Sequence, residues 1–585
     1  MKKKLAFVLK RIAAALSGVN AFFSERIKKS TLLTLFCVAL FLNCALESLL
    51  ARSVFGFVSS FIDSPATFLL NVSVIMLTFA ICLLFTKKTV AMLIVFGIWV
   101  ALGIANFIVL GYRASPLTAI DIIIFRSVFE VMYIYFTPFE IAFLVTGILA
   151  FIALVIFLWK KVPRVPVKAT KKLAVLLAVI ICFVGFGPQV IADSENVTFA
   201  NMYESYGENG FAFSFVSTFF DRGIDKPENY SPEVISAIYD SLEEEKFDAP
   251  EEKFNVIFVQ LESFFDPYRL AGAEYSEDPT PNFRRLKESF PSGKLTVPVL
   301  GAGTANTEFE ILTAISTSLF GAGEYPYDTV MRDMLCENTA HALKSLGYRA
   351  TAIHNNAGDF YDRELIFKNM GFDDFLSIED MGEVETTPLG WAKDKVLTES
   401  TLRALDATEE SDFVFVISVQ PHGKYLDEDK MGEDGAIKVE SIPNEDEKIG
   451  YEYYLSQLYE CDAFVGELVA ALEARDEKTV CVFYGDHLPS FDWEDSSLTD
   501  GTLYDSEYVI WSNFENEITD GENVKCYELT PFVLNALGVD GGTMSRLYAA
   551  HKDTAEYEEI MQLLAYDMLY GENAQKAPNA RRSEK

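Results

Sequence analysis

Five long apolar stretches crowd the first third of this chain and constrain everything that follows. They run over residues 31–51, 65–85, 90–112, 139–159 and 173–192, close to the about 20 residues that carry a helix across the hydrocarbon core of a bilayer. The breaks between them carry the charges. Lys2, Lys3, Lys4, Lys10, Arg11, Arg26, Lys28 and Lys29 precede the first stretch, and Lys87 and Lys88 separate the second from the third. Lys160, Lys161, Arg164, Lys168, Lys171 and Lys172 separate the fourth from the fifth, whereas the two remaining breaks hold only Arg52, Arg113 and Arg126. Basic loops stay in the cytoplasm. Five spans therefore place all three basic clusters inside and everything after Asp193 outside. The segment 115–135 is apolar but interrupted by Asp121, Arg126 and Glu130. Charges at membrane depth are costly, and a sixth span would spoil the pattern, so this segment is expected to be interfacial or re-entrant. The opening residues 1–30 read as a cytoplasmic segment with an amphipathic start.

Beyond residue 193 the composition turns to ordinary globular sequence rich in Asp and Glu. The acidic excess behind the net charge of −35 lies wholly in this part, the first 193 residues being net basic. That balance argues against a nucleic-acid partner, which needs a basic footprint. Cys336, Cys461, Cys481 and Cys526 are scattered over it without a C-x-x-C pair, so a disulfide framework is not expected, although a Cys461–Cys481 bridge stays open.

Residues 194–252 read as a connector. Within it GFAFSFVSTFF (210–220) is too short to span, and its aromatics suit a helix on the membrane surface or one packed on the soluble core. From 253 the periodicity changes. NVIFVQ (255–260), RATAIH (349–354), FVFVISVQ (413–420), VCVFY (480–484) and YVIW (508–511) are short, β-rich and nearly continuous in apolar character, as strands buried on both faces are. Helical stretches at 329–346, 392–405 and 451–474 separate them. Such alternation predicts an α/β domain around a mostly parallel sheet over 253–555, followed over 556–585 by a helix and a disordered tail. The whole is then a helical transmembrane domain (31–193) joined to an extracytoplasmic α/β domain.

Ligands on such sheets bind beyond the carboxyl ends of the strands, so the polar residues there are the candidates. Glu262 follows the first strand, and Gly485-Asp486-His487 follows the fourth. Gly301-Ala302-Gly303 permits a close backbone approach just before Thr304, where a helix over 306–317 begins. A helix start favours anions; the same residues also read as a cap, with Thr304 or Asn306 capping and Glu308 in the first turn. His422 and His354 each stand at the end of a strand, the second followed by Phe360-Tyr361-Asp362-Arg363. Singly, each has an ordinary reading, because a Glu after a strand is usually solvated and Gly-Asp-His is often only a turn. Yet the chain has five histidines, and three of them fall at strand ends.

The order of five spans followed by NVIFVQLESF, GTANTEFE, FYDR, SVQPHG and GDH resembles the lipoteichoic acid synthase family of bacterial membrane phosphoglycerol transferases, within the alkaline-phosphatase/sulfatase superfamily. The resemblance implies a sulfatase-like fold in which Glu262, Thr304, Asp486 and His487 hold one divalent metal, manganese first, with magnesium or zinc as alternatives. It implies Thr304 as the nucleophile, and Tyr361, Arg363 and His422 around the phosphoglycerol, with His354 beside them. The donor it implies is phosphatidylglycerol, and the acceptor a glycerophosphate polymer or a glycolipid. Tyr361 and Asp362 stand where the family commonly has Trp and Asn, and the residues around Thr304 depart from its GKTSD form, which bears on the acceptor and on polymer formation.

The residue types suit that chemistry. A phosphodiester repels nucleophiles, so a cation must neutralise its charge. A threonine ester then splits one hard displacement into two easier ones. An arginine such as Arg363 can grip phosphate with two donors. Two other readings stay open: a phosphoethanolamine transferase, which shares five spans and a threonine nucleophile, and a non-catalytic sensor or scaffold. A sulfatase is disfavoured because Thr304-Ala305-Asn306-Thr307-Glu308 lacks the C/S-x-P-x-R motif.

Overall fold

The apolar runs in the second half of the chain become strands because they have somewhere to be buried. The computed structural model describes residues 31–111, 115–123, 136–162, scattered positions from 164 to 184 and, with short breaks, 202–571. Its main sheet contains β1 (Asn255–Leu261), β2 (Ser292–Thr296), β3 (Arg349–His354), β4 (Asp374–Leu376), β5 (Asp412–Ile417), β6 (Thr479–Gly485), β7 (Asp505–Ser512) and β8 (Val524–Lys525). Their order is β8-β2-β7-β6-β1-β5-β3-β4. From β6 to β4 the strands run parallel, whereas β7 is antiparallel to both its neighbours. All residues of β1, β5 and β6 are buried, which is why their sequences lack polar alternation.

Successive side chains of β1 serve opposite faces. Val256 and Phe258 join one core with Phe309 and Leu529, from helices Thr304–Thr313 and Cys526–Ala536. Ile257, Val259 and Leu261 join the other with Leu458 and Phe464, from helix Lys448–Glu473. The register places Leu261 opposite Gly485, and Ile417 opposite both Gln260 and His354. Four strands thus end level, and the residue after each faces one edge.

Among the described residues, four helices are long and apolar enough to cross a membrane: Thr31–Leu50, Pro65–Cys82, Lys88–Val109 and Pro138–Lys161. The last buries none of its side chains within the protein, as a helix facing lipid would. The fifth apolar stretch, 173–192, lies largely outside the described residues, as do 1–30, 572–585 and most of 115–135. Of that last segment, residues 115–123 carry the short helix Ala119–Ile123.

The aromatic stretch in the connector forms helix Phe211–Ser217, with Phe211, Phe213 and Phe215 buried. Its backbone is tied to the membrane helices. The N–H of Phe211 donates to Glu47 Oε1 at 3.2 Å and that of Phe213 to Asn71 Oδ1 at 2.7 Å. Gly210 turns the chain there at φ +76°, and any Cβ would come within 2.4 Å of Asn71 Nδ2.

Three helices are shorter than the sequence predicts, the stretch 392–405 turning helical only at Val396. The stretch 329–346 divides into a 3-10 turn, Val330–Arg332, and helix Thr339–Ser345. Asn338 makes the break by accepting the His341 N–H at 3.2 Å, as an N-cap does. Helix Thr304–Thr313 stops where Ala314 adopts φ +54°. Cys336, Cys461, Cys481 and Cys526 are buried, and Cys461 and Cys481 form no bridge.

Candidate active site

Glu262, Asp486 and His487 follow β1 and β6 at the level edge, where their ligand atoms all lie within 4.8 Å of one another. All three are buried. The local geometry depends on small residues and backbone bonds. A Cβ on Gly485 would fall 2.1 Å from the Phe264 carbonyl, so only glycine lets β6 pass there. The Asp486 N–H donates to the Leu261 carbonyl at 3.1 Å, and the Ser263 N–H to Asp486 Oδ1 at 2.8 Å. Ser418 Oγ accepts the Glu262 N–H at 2.9 Å.

Thr304 joins this cluster from its helix, donating from Oγ1 to Glu262 Oε2 at 3.3 Å. The capping role open to Thr304 or Asn306 falls instead to Gly303, at φ +104° with no side-chain cap. The Thr304 hydroxyl is thereby left for the cluster, and Asn306 Nδ2 donates to the Glu324 carbonyl at 3.2 Å.

The donor set suits a cation. His487 Nδ1 lies 2.9 Å from the Leu488 carbonyl; a carbonyl only accepts, so Nδ1 holds a proton, and Nε2 faces Glu262 Oε1 and Asp486 Oδ2 at 3.5 Å each. His487 Nε2 and Asp486 Oδ2 are buried without a hydrogen-bond partner. Such atoms are costly to strand, and both point to a ligand that accepts electron pairs. Glu262 is pushed up to about 8 by its own burial and then by the Asp486 charge, with His487, Ser263 and Thr304 pulling the other way. Two carboxylates this close in a dry site need a positive charge between them.

The other candidates gather nearby in a second group. Burial, then Arg363, lowers the His354 pKa well below the usual histidine range, against a bond to the Ile417 carbonyl. His422 is lowered by burial and by Arg363, against the Gly423 carbonyl and the Asp486 charge. Both imidazoles are neutral at pH 7. Arg363 is buried and paired with Glu308, its Nε lying 3.2 Å from each carboxylate oxygen. Tyr361 lies beneath the guanidinium at 5.2 Å and stacks on Tyr325. Tyr361 and Asp362 both have positive φ, as does Ser263. Left-handed backbone at non-glycine residues costs about 1–3 kcal/mol each and clusters where function demands it.

Two further residues shape the site. Glu308, by sequence a first-turn acid of a cap, lies in a helix buried on all sides and has Arg363 as its partner. Trp391 packs on the His422 imidazole with ring centroids 4.4 Å apart. Removing one member of a buried ion pair strands the other, at a cost of about 3–5 kcal/mol. Glu308→Ala is therefore expected to lower the thermal midpoint of the detergent-solubilised protein by on the order of 10 °C. A shift of only a degree or two would show that Arg363 does not depend on this partner.

Residues 254–539 match the family model described as Sulfatase. Over 290 residues, 49% of this chain, the sequence is 32% identical to a Rhizobium meliloti (strain 1021) protein assigned by name to cyclic beta-1,2-glucan modification, 43% of which is covered. It is 25% identical over 349 residues, 58% of the chain, to lipoteichoic acid synthase 2 of Bacillus subtilis (strain 168), 48% of which is covered. The chain thus spans less than half the length of these relatives. Among solved structures, the Streptococcus pyogenes phosphoglycerol transferase GacH, in complex with sn-glycerol-1-phosphate, superposes with a TM-score of 0.52 at 24% identity, over 60% of this chain and 99% of that one. The integral membrane lipooligosaccharide phosphoethanolamine transferase A (EptA) of Neisseria meningitidis superposes with a TM-score of 0.55 at 12% identity, over 92% of this chain and 98% of that one. These likenesses concern the fold, and the second takes in the apolar helices as well. With a domain that matches the Sulfatase family model over residues 254–539, behind an apolar helical block, the chain is similar to the lipoteichoic acid synthase-like proteins of the alkaline phosphatase/sulfatase superfamily.

Proposed function

We propose that this protein transfers sn-glycerol 1-phosphate groups from phosphatidylglycerol to a glycerophosphate polymer or glycolipid acceptor, by way of a covalent threonine ester, with release of diacylglycerol. The observation that carries this reading is the Thr304 hydroxyl held against the buried Glu262–Asp486–His487 cluster. Glu262, Thr304, Asp486 and His487 would hold one divalent cation, manganese in this reading. When bound, it supplies the positive charge that offsets the phosphate and makes the hydroxyl more acidic.

The chain's own residues then divide the work. Thr304 Oγ1 forms a bond to phosphorus as the bond to the diacylglycerol oxygen breaks, and the hydroxyl proton leaves along the hydrogen bond to Glu262 Oε2. The diacylglycerol oxygen takes its proton from solvent. His422 Nδ1 donates to the Gly423 carbonyl at 2.6 Å, so the neutral ring offers a bare Nε2. That favours a base in the second displacement, taking the acceptor hydroxyl's proton as its oxygen bonds phosphorus, the bond to Thr304 Oγ1 breaks and Oγ1 takes back the proton from Glu262, over an acid in the first. Arg363, anchored by Glu308, supplies the fixed positive charge for the phosphate, with Tyr361 and His354 lining its side of the pocket. The apolar helices tether the domain beside the leaflet that holds the donor; by the charge pattern the N-terminus is cytoplasmic and the domain extracellular.

A second reading, phosphoethanolamine transfer, draws on the likeness to EptA over 92% of the chain. The donor decides between them. Full-length protein with manganese is reconstituted with fluorescent phosphatidylglycerol or phosphatidylethanolamine, and diacylglycerol is followed. Release from phosphatidylglycerol alone is expected; release only from phosphatidylethanolamine would transfer the assignment to the second reading.

A further inference from the structure

Asp394 lies in the turn ahead of helix Val396–Leu405 and is fully buried. A buried carboxylate is costly unless its hydrogen bonds are filled. Its Oδ1 accepts three donors: the Asn355 side-chain N–H at 2.8 Å and the backbone N–H groups of Val419 at 3.0 Å and Gln420 at 3.1 Å. Its own N–H donates to Gln420 Oε1 at 2.8 Å. Asn355 comes directly after His354 at the end of β3. Val419 and Gln420 follow β5 and lead to His422 through a turn closed by the His422 N–H on the Val419 carbonyl at 3.1 Å. One carboxylate oxygen thus joins the segments that follow two parallel strands, β3, which ends in His354, and β5, which leads to His422. Gln420 is held from its far side as well, donating to Gln457 at 3.1 Å and Glu460 at 2.6 Å. Three residues before Asp394, the Trp391 ring lies against His422.

We propose that Asp394 is a positioning residue for the transfer reaction, fixing the Val419–Gly423 turn and, through it, the His422 imidazole, while Trp391 sets the plane of that ring. The proposal rests on the role assigned above to His422. Charge-assisted bonds to a carboxylate are short and strong, and three converging on one oxygen leave the turn little freedom. No donor or acceptor of Asp394 is shared with Glu262, Thr304, Asp486 or His487 among the hydrogen bonds described.

The test compares full-length Asp394→Asn and Asp394→Ala in the phosphatidylglycerol assay, alone and combined with His422→Ala. Asp394→Ala strands three N–H groups and is the variant that can fail to fold; Asp394→Asn keeps an acceptor oxygen and decides the question. Asp394→Asn is expected to lower kcat about tenfold with KM within about twofold. In the His422→Ala background its effect is expected to shrink below about twofold, because the two residues act as a unit. An equal loss in both backgrounds, or full activity of Asp394→Asn, would overturn the proposal. Trp391 emission, taken as the difference between each protein and its Trp391→Phe counterpart, reports the ring contact without any substrate. It is expected to change in Asp394→Asn, and constancy would likewise overturn the proposal. If the parent protein consumes neither lipid, the donor reading has failed, and the emission decides the positioning role alone.

Discussion

Thr304→Ala is expected to lose diacylglycerol release by at least about a thousandfold while the protein stays folded. The size follows from the role: without the hydroxyl no ester forms, and what is left is charge stabilisation and binding. The intact fold follows from the structure. Gly303 holds the cap position, so Thr304 bears no capping bond. Alanine is the better helix former. Glu262 keeps its bond from Ser263 Oγ at 2.8 Å. Thermal unfolding beside the lipid assay makes the check, with Thr304→Ser as the control that retains a nucleophile. Activity above a tenth of the parent's in a folded Thr304→Ala protein would exclude the covalent route.

The second large effect is expected on removing the cation. With the site empty of metal, Glu262 stands at about 8, against 4.5 for the unperturbed group, because it is buried beside Asp486. The native state then holds a proton that the unfolded chain gives up above about pH 4.5. A raised carboxyl pKa therefore costs stability as pH climbs from about 4.5 to about 8, by a few kcal/mol in all. Glu310, pushed up to about 7, and Asp462, to about 6, are raised by burial as well, so the protein weakens in the same direction whatever the cation does. The difference between manganese-loaded and chelated protein isolates the cluster. Manganese is expected to raise the thermal midpoint more at pH 8 than at pH 5, to release about one proton on binding between those limits, and to restore all transfer activity lost on chelation. His487→Gln, which removes the imidazole Nε2, should abolish the rise. An equal manganese shift at both pH values would show that Glu262 takes no part in holding the ion.

Much of this was legible in the amino-acid order, for identifiable reasons. Strands buried on both faces carry unbroken apolar runs, so 255–260, 349–354, 413–420, 480–484 and 508–511 announced themselves. Parallel α/β sheets present the residues that follow their strands, which singled out Glu262, His354, His422, Asp486 and His487. Helix limits were less legible, since Asn338 and Ala314 end helices by local bonds and backbone geometry that the 3.6-residue period does not carry.

The chain by itself determined its division into an apolar helical block and an acidic α/β domain, because hydropathy and strand periodicity are properties of neighbouring residues. It also determined which chemical groups stand at the strand ends. Only the tertiary structure decided which of those groups meet. The level register of β1 and β6 puts Glu262 beside Asp486, 224 positions apart in the chain. Gly303 takes the cap, and the hydroxyl of Thr304 turns to the cluster. Glu308, Trp391 and Asp394 look like ordinary first-turn and loop residues in the sequence. They acquire their roles from partners distant in the chain, Arg363, His422 and the Val419–Gln420 amides, and burial makes those contacts obligatory.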